Sequence, residues 1–172
     1  MTGEERRKKI IEILADSVKP LSGTALAKEF SISRQVIVQD IALLRAENKN
    51  IISTNKGYML YKTTQTNHTV REIVKVSHNT YQVLEEFYSI VDAGGTILNV
   101  FVEHELYGQI EADLYISNRT DAEEFYHKLS QCHNKPLKFL TDEIHYHTIE
   151  AKNRDTMEKI LDNLTKKGIL LF

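Results

Sequence analysis

The sequence predicts an α+β chain in two parts, a small helical module over residues 1–62 and a mixed domain over 68–172. Two observations predict this. Up to residue 47 the apolar residues recur at helical spacing, and a β-prone pair of runs follows. From residue 69 onward, alternating stretches and helical stretches take turns. Charge divides in the same place: residues 1–62 hold 11 Lys/Arg against 7 Asp/Glu, and the remainder holds 11 against 17. A basic segment joined to an acidic one fits a nucleic-acid module attached to something else.

The first helix spans residues 7–15, with Ile10, Ile11, Ile13 and Leu14 as its apolar face and Pro20 beyond its end. A second, short helix follows within 21–30. Ser22 or Thr24 caps it, and Leu26, Ala27 and Phe30 are buried. Ser31-Ile32-Ser33 breaks the chain, and Ser33 caps a third helix running to about Glu47, with Val36, Ile37, Ile41 and Leu44 inward. Two helices joined by a short turn, the second opened by Ser-Arg-Gln, form a helix-turn-helix. A recognition helix offers its first turns to the major groove, where short polar residues meet phosphates and long ones meet base edges. Ser33, Arg34, Gln35 and Gln39 are of those types and lie off the apolar stripe, and Arg45 is placed for a phosphate. Asn55-Lys56-Gly57 turns between two β-prone runs, which makes a wing with Lys56 at its tip. The stretch from Ala25 through Phe30, Ser33-Arg34-Gln35 and Ile41 resembles the DNA-binding domain of biotin-operon-repressor-type regulators, a winged helix-turn-helix.

Residues 63–67 are polar and read as a linker. The second domain then reads as a strand over 69–76, a helix over 80–91 closed by Gly94-Gly95, and strands over 96–103 and 109–116 turned by Tyr107-Gly108. A helix over 121–132, strands over 136–140 and 143–151, a helix over 155–167 ended by Gly168, and an apolar tail complete it. The single cysteine, Cys132, excludes an internal disulfide and a thiolate cluster, and its place after a helical apolar face predicts a packed, inert thiol. Any metal must therefore be held by His and Asp/Glu. His145 and His147 sit two apart in an alternating run, so a strand would project both imidazoles to one face. His78 lies between a strand and a helix, and Glu86 lies on that helix. All four converge on one ion if the two strands are adjacent.

Val76-Ser77-His78, Glu86, Phe101-Val102-Glu103-His104-Glu105-Leu106-Tyr107-Gly108, and the run from Pro136 to Ile149 that contains Asp142-Glu143-Ile144-His145-Tyr146-His147 resemble the ordered landmarks of the three-histidine (3H) domain. Joined to the winged helix, they resemble the nicotinate-responsive transcriptional repressors of the NiaR family over essentially the whole chain. The resemblance implies a divalent-metal site of His78, Glu86, His145 and His147, with Ni, Zn, Fe or Mn as the ion. It implies nicotinic acid as co-repressor, double-stranded operator DNA as partner, a homodimer, and regulation of NAD biosynthesis or niacin uptake. Asp142-Glu143 stands where a small or glycine-containing turn is expected before the His pair. His104 belongs to the family's histidine signature and is a candidate for the effector pocket or for a structural hydrogen bond. Arg119 is a candidate for an effector carboxylate, since Arg pairs bidentately with carboxylates. His68, His127 and His133 read as surface residues.

The alternative is a metal-sensing regulator in which the ion itself is the effector. An enzyme is not expected: there is no phosphate-binding Gly loop, nucleophile motif or pair of catalytic carboxylates, and no adenylate loop of the biotin-ligase kind. With no signal-type core and no membrane-length apolar run, a cytoplasmic protein is expected.

Overall fold

A computed structural model describes residues 1–47, 50–61 and 69–172; the linker read over 63–67 and the surface assignment of His68 lie outside the described residues. The chain divides into two compact units, Met1–Thr64 and Gln65–Phe172.

In the first unit, α1 (Gly3–Asp16) begins earlier than the apolar spacing indicates, because Thr2 and Glu5 form a reciprocal capping box. α2 (Gly23–Glu29) is capped by the Ser22 hydroxyl, which accepts from Ala25 N at 3.0 Å. α3 (Arg34–Glu47) starts at Ser33, whose hydroxyl accepts from Val36 N. Ile10, Leu14, Leu26, Ile37, Ile41 and Leu44 form the core, joined by Ile51 of the hairpin β1 (Ile51–Thr54) and β2 (Gly57–Leu60). The hairpin is fastened near its turn: Leu21 and Tyr58 exchange two backbone hydrogen bonds of 2.8 Å. Gly57 permits this approach, since its φ is 136° and a Cβ there would lie 2.2 Å from the Leu21 carbonyl oxygen.

The second unit is an antiparallel five-stranded sheet in the order β5-β4-β6-β3-β7. Its strands are β3 (Val70–Ser77), β4 (Gly95–His104), β5 (Gly108–Ile116), β6 (Ile144–Ala151) and β7 (Leu170–Leu171). Helices α4 (Val83–Val91), α5 (Arg119–Gln131) and α6 (Arg154–Lys166) supply the other half of the core. Side chains alternate along a strand, and β6 buries His145, His147, Ile149 and Ala151 while β3 buries Val74 and Val76. Gly95 lets α4 and α6 close on the sheet; a Cβ there would come within 3.0 Å of both Ile160 and Ile90.

Two expectations are corrected here. Residues 136–140 do not form a strand: Leu137–Leu140 is a 3-10 turn, closed by Phe139 N donating to the Pro136 carbonyl. The apolar residues around Lys138 suggested alternation, yet Lys138 is the buried one, while Phe139 and Leu140 are exposed. Cys132 is exposed rather than packed, because α5 ends at Gln131 and the helical face no longer governs where its side chain points. The backbone preceding the His pair does take the conformation that glycine favours: φ is 49° at Asp142 and 67° at Glu143.

Candidate functional site

Strand adjacency, which the sequence leaves open, is settled by the register. β3 and β6 pair directly, with Val76 opposite His145 and Val74 opposite His147. His78, two residues past Val76, continues the inward-facing row of β3. It is fixed by a second reciprocal cap, in which Asn79 Oδ1 accepts from Gln82 N and Gln82 Oε1 accepts from Asn79 N. Opposite this row stands α4. Its stripe of Val83, Phe87, Ile90 and Val91 packs on the sheet, and Glu86 occupies a place in the same stripe. All four candidate ligands are buried, with Glu86 1% exposed.

Their nitrogens are oriented by the backbone. Each Nδ1 lies against a carbonyl: His78 on Asn79 O at 2.7 Å, His145 on Glu143 O at 2.9 Å, His147 on Asn99 O at 2.7 Å. A carbonyl only accepts, so each Nδ1 carries the proton and each Nε2 is left as the ligating nitrogen. The three Nε2 atoms approach one carboxylate: His78 at 2.7 Å and His145 at 3.9 Å from Glu86 Oε2, His147 at 3.2 Å from Oε1. The donor atoms of His78, Glu86 and His145 all lie within 4.8 Å of one another; His147 joins through the second carboxylate oxygen. Both Glu86 oxygens and the Nε2 atoms of His78 and His147 are buried without a hydrogen-bond partner. Lone pairs at such distances repel unless a proton or a cation lies between them, so this donor set fits a metal ion. N and O donors of this kind suit first-row divalent transition metals.

The four groups perturb one another's protonation. Burial would push the Glu86 carboxyl up, but the close approach of His147, and then of His145 and His78, holds it well below the usual carboxylate range. Burial pushes the His145 imidazole down, toward the neutral form that ligates. His147 is raised although burial would lower it, because the Glu86 charge prevails.

The β4 strand contributes through an irregularity. Its register against β6 shifts between Ile97 and Phe101. Within that bulge the Asn99 carbonyl is free to accept from His147, and Asn99 Oδ1 accepts from Thr148 N at 2.8 Å in place of a ladder bond. The cluster opens onto a cavity of about 230 Å³ whose apolar walls include Val83, Phe87, Val100, Leu114, Phe125 and Leu129. Lys138 lines it as well, and burial holds its ammonium below the ordinary lysine range.

The structure places His104 and Arg119 away from this cavity, and His104 takes the structural hydrogen bond that was one of its two expected roles. His104 ends β4, and its Nδ1 accepts from Leu106 N at 3.2 Å, a structural bond that shapes the β4–β5 turn. Arg119 is exposed; it holds Asp92 through two hydrogen bonds of 2.8 and 2.5 Å and lies over the Tyr88 ring. A partner carboxylate already occupies its fork. His127 and His133 are exposed, as expected.

In the first unit, Ser33, Arg34, Gln35 and Gln39 are exposed on α3, and Ile37, Asp40, Ile41 and Leu44 face inward. Arg34 and Lys56 line one surface cleft together with Ser22, Thr24 and Tyr58, so the start of α3 and the wing turn share a side of the module. Arg45 is exposed on the last turn of α3.

Comparison with known proteins accords with this division. An HTH domain matches residues 6–59, and a 3H domain matches residues 71–172. The probable transcription repressor NiaR of Thermotoga maritima is 41% identical over 98% of this chain and 94% of its own length. The transcription repressor NadR of Bacillus subtilis is 36% identical over 99% of this chain and 96% of its own. The chain belongs to the NiaR/NadR family of transcription repressors. It is a DNA-binding regulator and not an enzyme. Among the described residues, no helix is long and apolar enough to cross a membrane.

Three residues of consequence in this repressor escape the sequence reading. Asn99 orients His147, Lys138 donates to the His78 carbonyl at 2.8 Å, and Asp40 receives Arg6 at 2.5 Å beneath α1. Each is a polar residue inside an otherwise apolar stretch, which is the signal that could have found them.

Proposed function

We propose that the protein is a nicotinate-responsive repressor of genes for NAD biosynthesis or niacin uptake, in which nicotinic acid acts as co-repressor. One observation carries this reading: four oriented donors form one wall of a small apolar cavity, in a chain whose other unit is a DNA-binding module. His78, Glu86, His145 and His147 hold a divalent transition ion there, Ni, Zn, Fe or Mn. When bound, the ion supplies a Lewis-acid position for a ring nitrogen or carboxylate. The chain's own residues do the rest. The carbonyls of Asn79, Glu143 and Asn99 keep the imidazoles aimed. Phe87, Phe125 and Leu114 exclude water and flank a flat ring.

At the DNA, Ser33, Arg34, Gln35 and Gln39 of α3 read or clamp the major groove, while Arg45 and Lys56 contact phosphates. The repressor works as a cytoplasmic homodimer, so that two α3 helices meet half-sites about 34–36 Å apart.

A second reading has its own support. Four protein donors already satisfy a tetrahedral ion without an organic ligand, which favours the ion itself as effector. Calorimetry of nicotinate against metal-loaded and chelated protein separates the two, together with binding to duplexes from upstream of niacin-uptake genes. The first reading expects one nicotinate per chain, lost on chelation, and tighter DNA binding when it is present. DNA affinity that follows metal alone, with no heat from nicotinate, overturns it in favour of the second.

A further inference from the structure

The homodimer reading leaves open which surface joins the two copies, and the second unit carries one that its core does not use. Helices α4, α5 and α6 pack on the sheet face that holds the four donors. Because side chains alternate, the opposite face presents Ile73 and Lys75 of β3, Tyr146 and Thr148 of β6, Phe101 of β4 and Glu111 of β5. None of these belongs to the core cluster. Ile73 is 64% exposed, and Tyr146 lies flat against Phe101 with the rings 5.0 Å apart. Strands β3 and β6 are each 8 residues long. At about 3.4 Å per residue, and with four strands about 4.8 Å apart, the face covers on the order of 500 Å². Two copies of it would bury roughly 1,000 Å² before side-chain relief is counted, which reaches the size of a specific interface.

Charge decides how a second copy lies on this face. On β4 and β5 it carries Glu103, Glu111 and Asp113 and no Lys or Arg. On β3 it carries Lys75 and Arg71, the latter held by Glu150 at 2.7 Å, while Glu72 alternates to the other face and pairs with Arg154 of α6. The face is therefore acidic on one half and basic on the other, and β6 is the middle strand between them. Strand register sets Glu111, Phe101, Tyr146 and Lys75 in a single row. A twofold axis along β6 lays this row over its own reverse, so the acidic half of each copy meets the basic half of the other. An axis across the strands would lay acids on acids instead. Strand β6 then holds His145 and His147 on one face and the contact between copies on the other.

We propose that this sheet face is the surface through which a second copy of the chain docks, sheet against sheet, about a twofold axis parallel to β6. The inference rests on the homodimer reading above, and its test separates the two. Sedimentation equilibrium of the full chain gives the dimer Kd for the parent, Ile73→Glu and Lys75→Glu, with metal per chain measured on each sample. Each substitution should raise the Kd by at least about tenfold, since each sets a carboxylate against the acidic half of the partner. Metal content should stay at the parent's level, because both side chains point away from the ligands. The axis is read by cysteine cross-linking in a Cys132→Ala background with a short bis-maleimide. Thr148→Cys, on the middle strand, should meet its own copy and cross-link. Gln109→Cys, on β5, should not, since its two copies stand four strand spacings apart, about 19 Å. A dimer undiminished in Ile73→Glu and Lys75→Glu, or one that cross-links through Gln109→Cys and not through Thr148→Cys, overturns this assignment and leaves the homodimer reading standing. A parent that stays monomeric at every concentration, with and without operator duplex, overturns both together.

Discussion

Glu86 holds a position that an apolar residue would fill at lower cost. It lies in the packed stripe of α4 with its carboxylate buried and both oxygens lacking a hydrogen-bond partner. A buried charge whose neighbours bring no proton or cation destabilises by several kcal/mol, and the proposed ion would offset that cost. Metal should therefore stabilise the protein by mass action, by about 2.7 kcal/mol at a hundredfold excess over Kd. Thermal unfolding with and without chelator should show this as a metal-dependent rise in Tm. In Glu86→Gln, and in His145→Ala combined with His147→Ala, the rise should vanish and metal per chain should fall below about a tenth of the parent's. Stoichiometric metal retained by the double histidine variant would place the site elsewhere. The first unit provides an internal control, since its core of Ile10, Leu14, Ile37 and Ile41 contains none of these residues.

At the scale of elements, α3 faces two ways, and the two faces make separate predictions. Arg34→Ala and Gln35→Ala remove exposed side chains from its first turns. Each should weaken operator binding by about 1–3 kcal/mol, read by fluorescence anisotropy, with metal content and Tm unchanged. The inward face is tied to α1 by Asp40, which receives Arg6 at 2.5 Å and has Arg7 at 3.5 Å. Asp40→Ala leaves these cations unpaired against the core edge and should cost about 2 kcal/mol in denaturant unfolding, between the values for an exposed and a buried pair because the Arg side reaches solvent. Equal stability of Asp40→Ala and parent would reduce the contact to a surface ion pair. These elements also show what sequence makes legible. Helices with apolar stripes, the hairpin wing and the strand carrying His145 and His147 follow from periodicity, because burial on one face imposes a period. The 3-10 turn at 137–140 does not follow, since four residues cannot establish a period and Pro136 obscures the pattern. The bulge at Asn99 is illegible for a related reason: a shift of register shows only against the partner strand. The four candidate ligands follow from residue type and from the family resemblance. What sequence could not supply was the pairing of β3 with β6 that brings them within reach of one carboxylate.

For the whole molecule, the co-repressor reading carries a thermodynamic obligation that no single residue can show. A ligand shifts DNA affinity only as far as its own affinity differs between the free and DNA-bound protein, and the coupling is reciprocal. If nicotinate strengthens operator binding by some factor, operator must strengthen nicotinate binding by the same factor, about 5- to 150-fold for ordinary allosteric couplings. The measurement is calorimetry of nicotinate into metal-loaded protein, alone and with saturating operator duplex, set beside operator titrations with and without nicotinate. Salt is held fixed throughout, because phosphate contacts make every DNA affinity salt-dependent. Matching factors close the cycle and establish nicotinate as co-repressor. A nicotinate affinity indifferent to operator would mean that it binds without regulating. The same cycle run with metal in place of nicotinate should then show the coupling that the metal-sensing alternative requires.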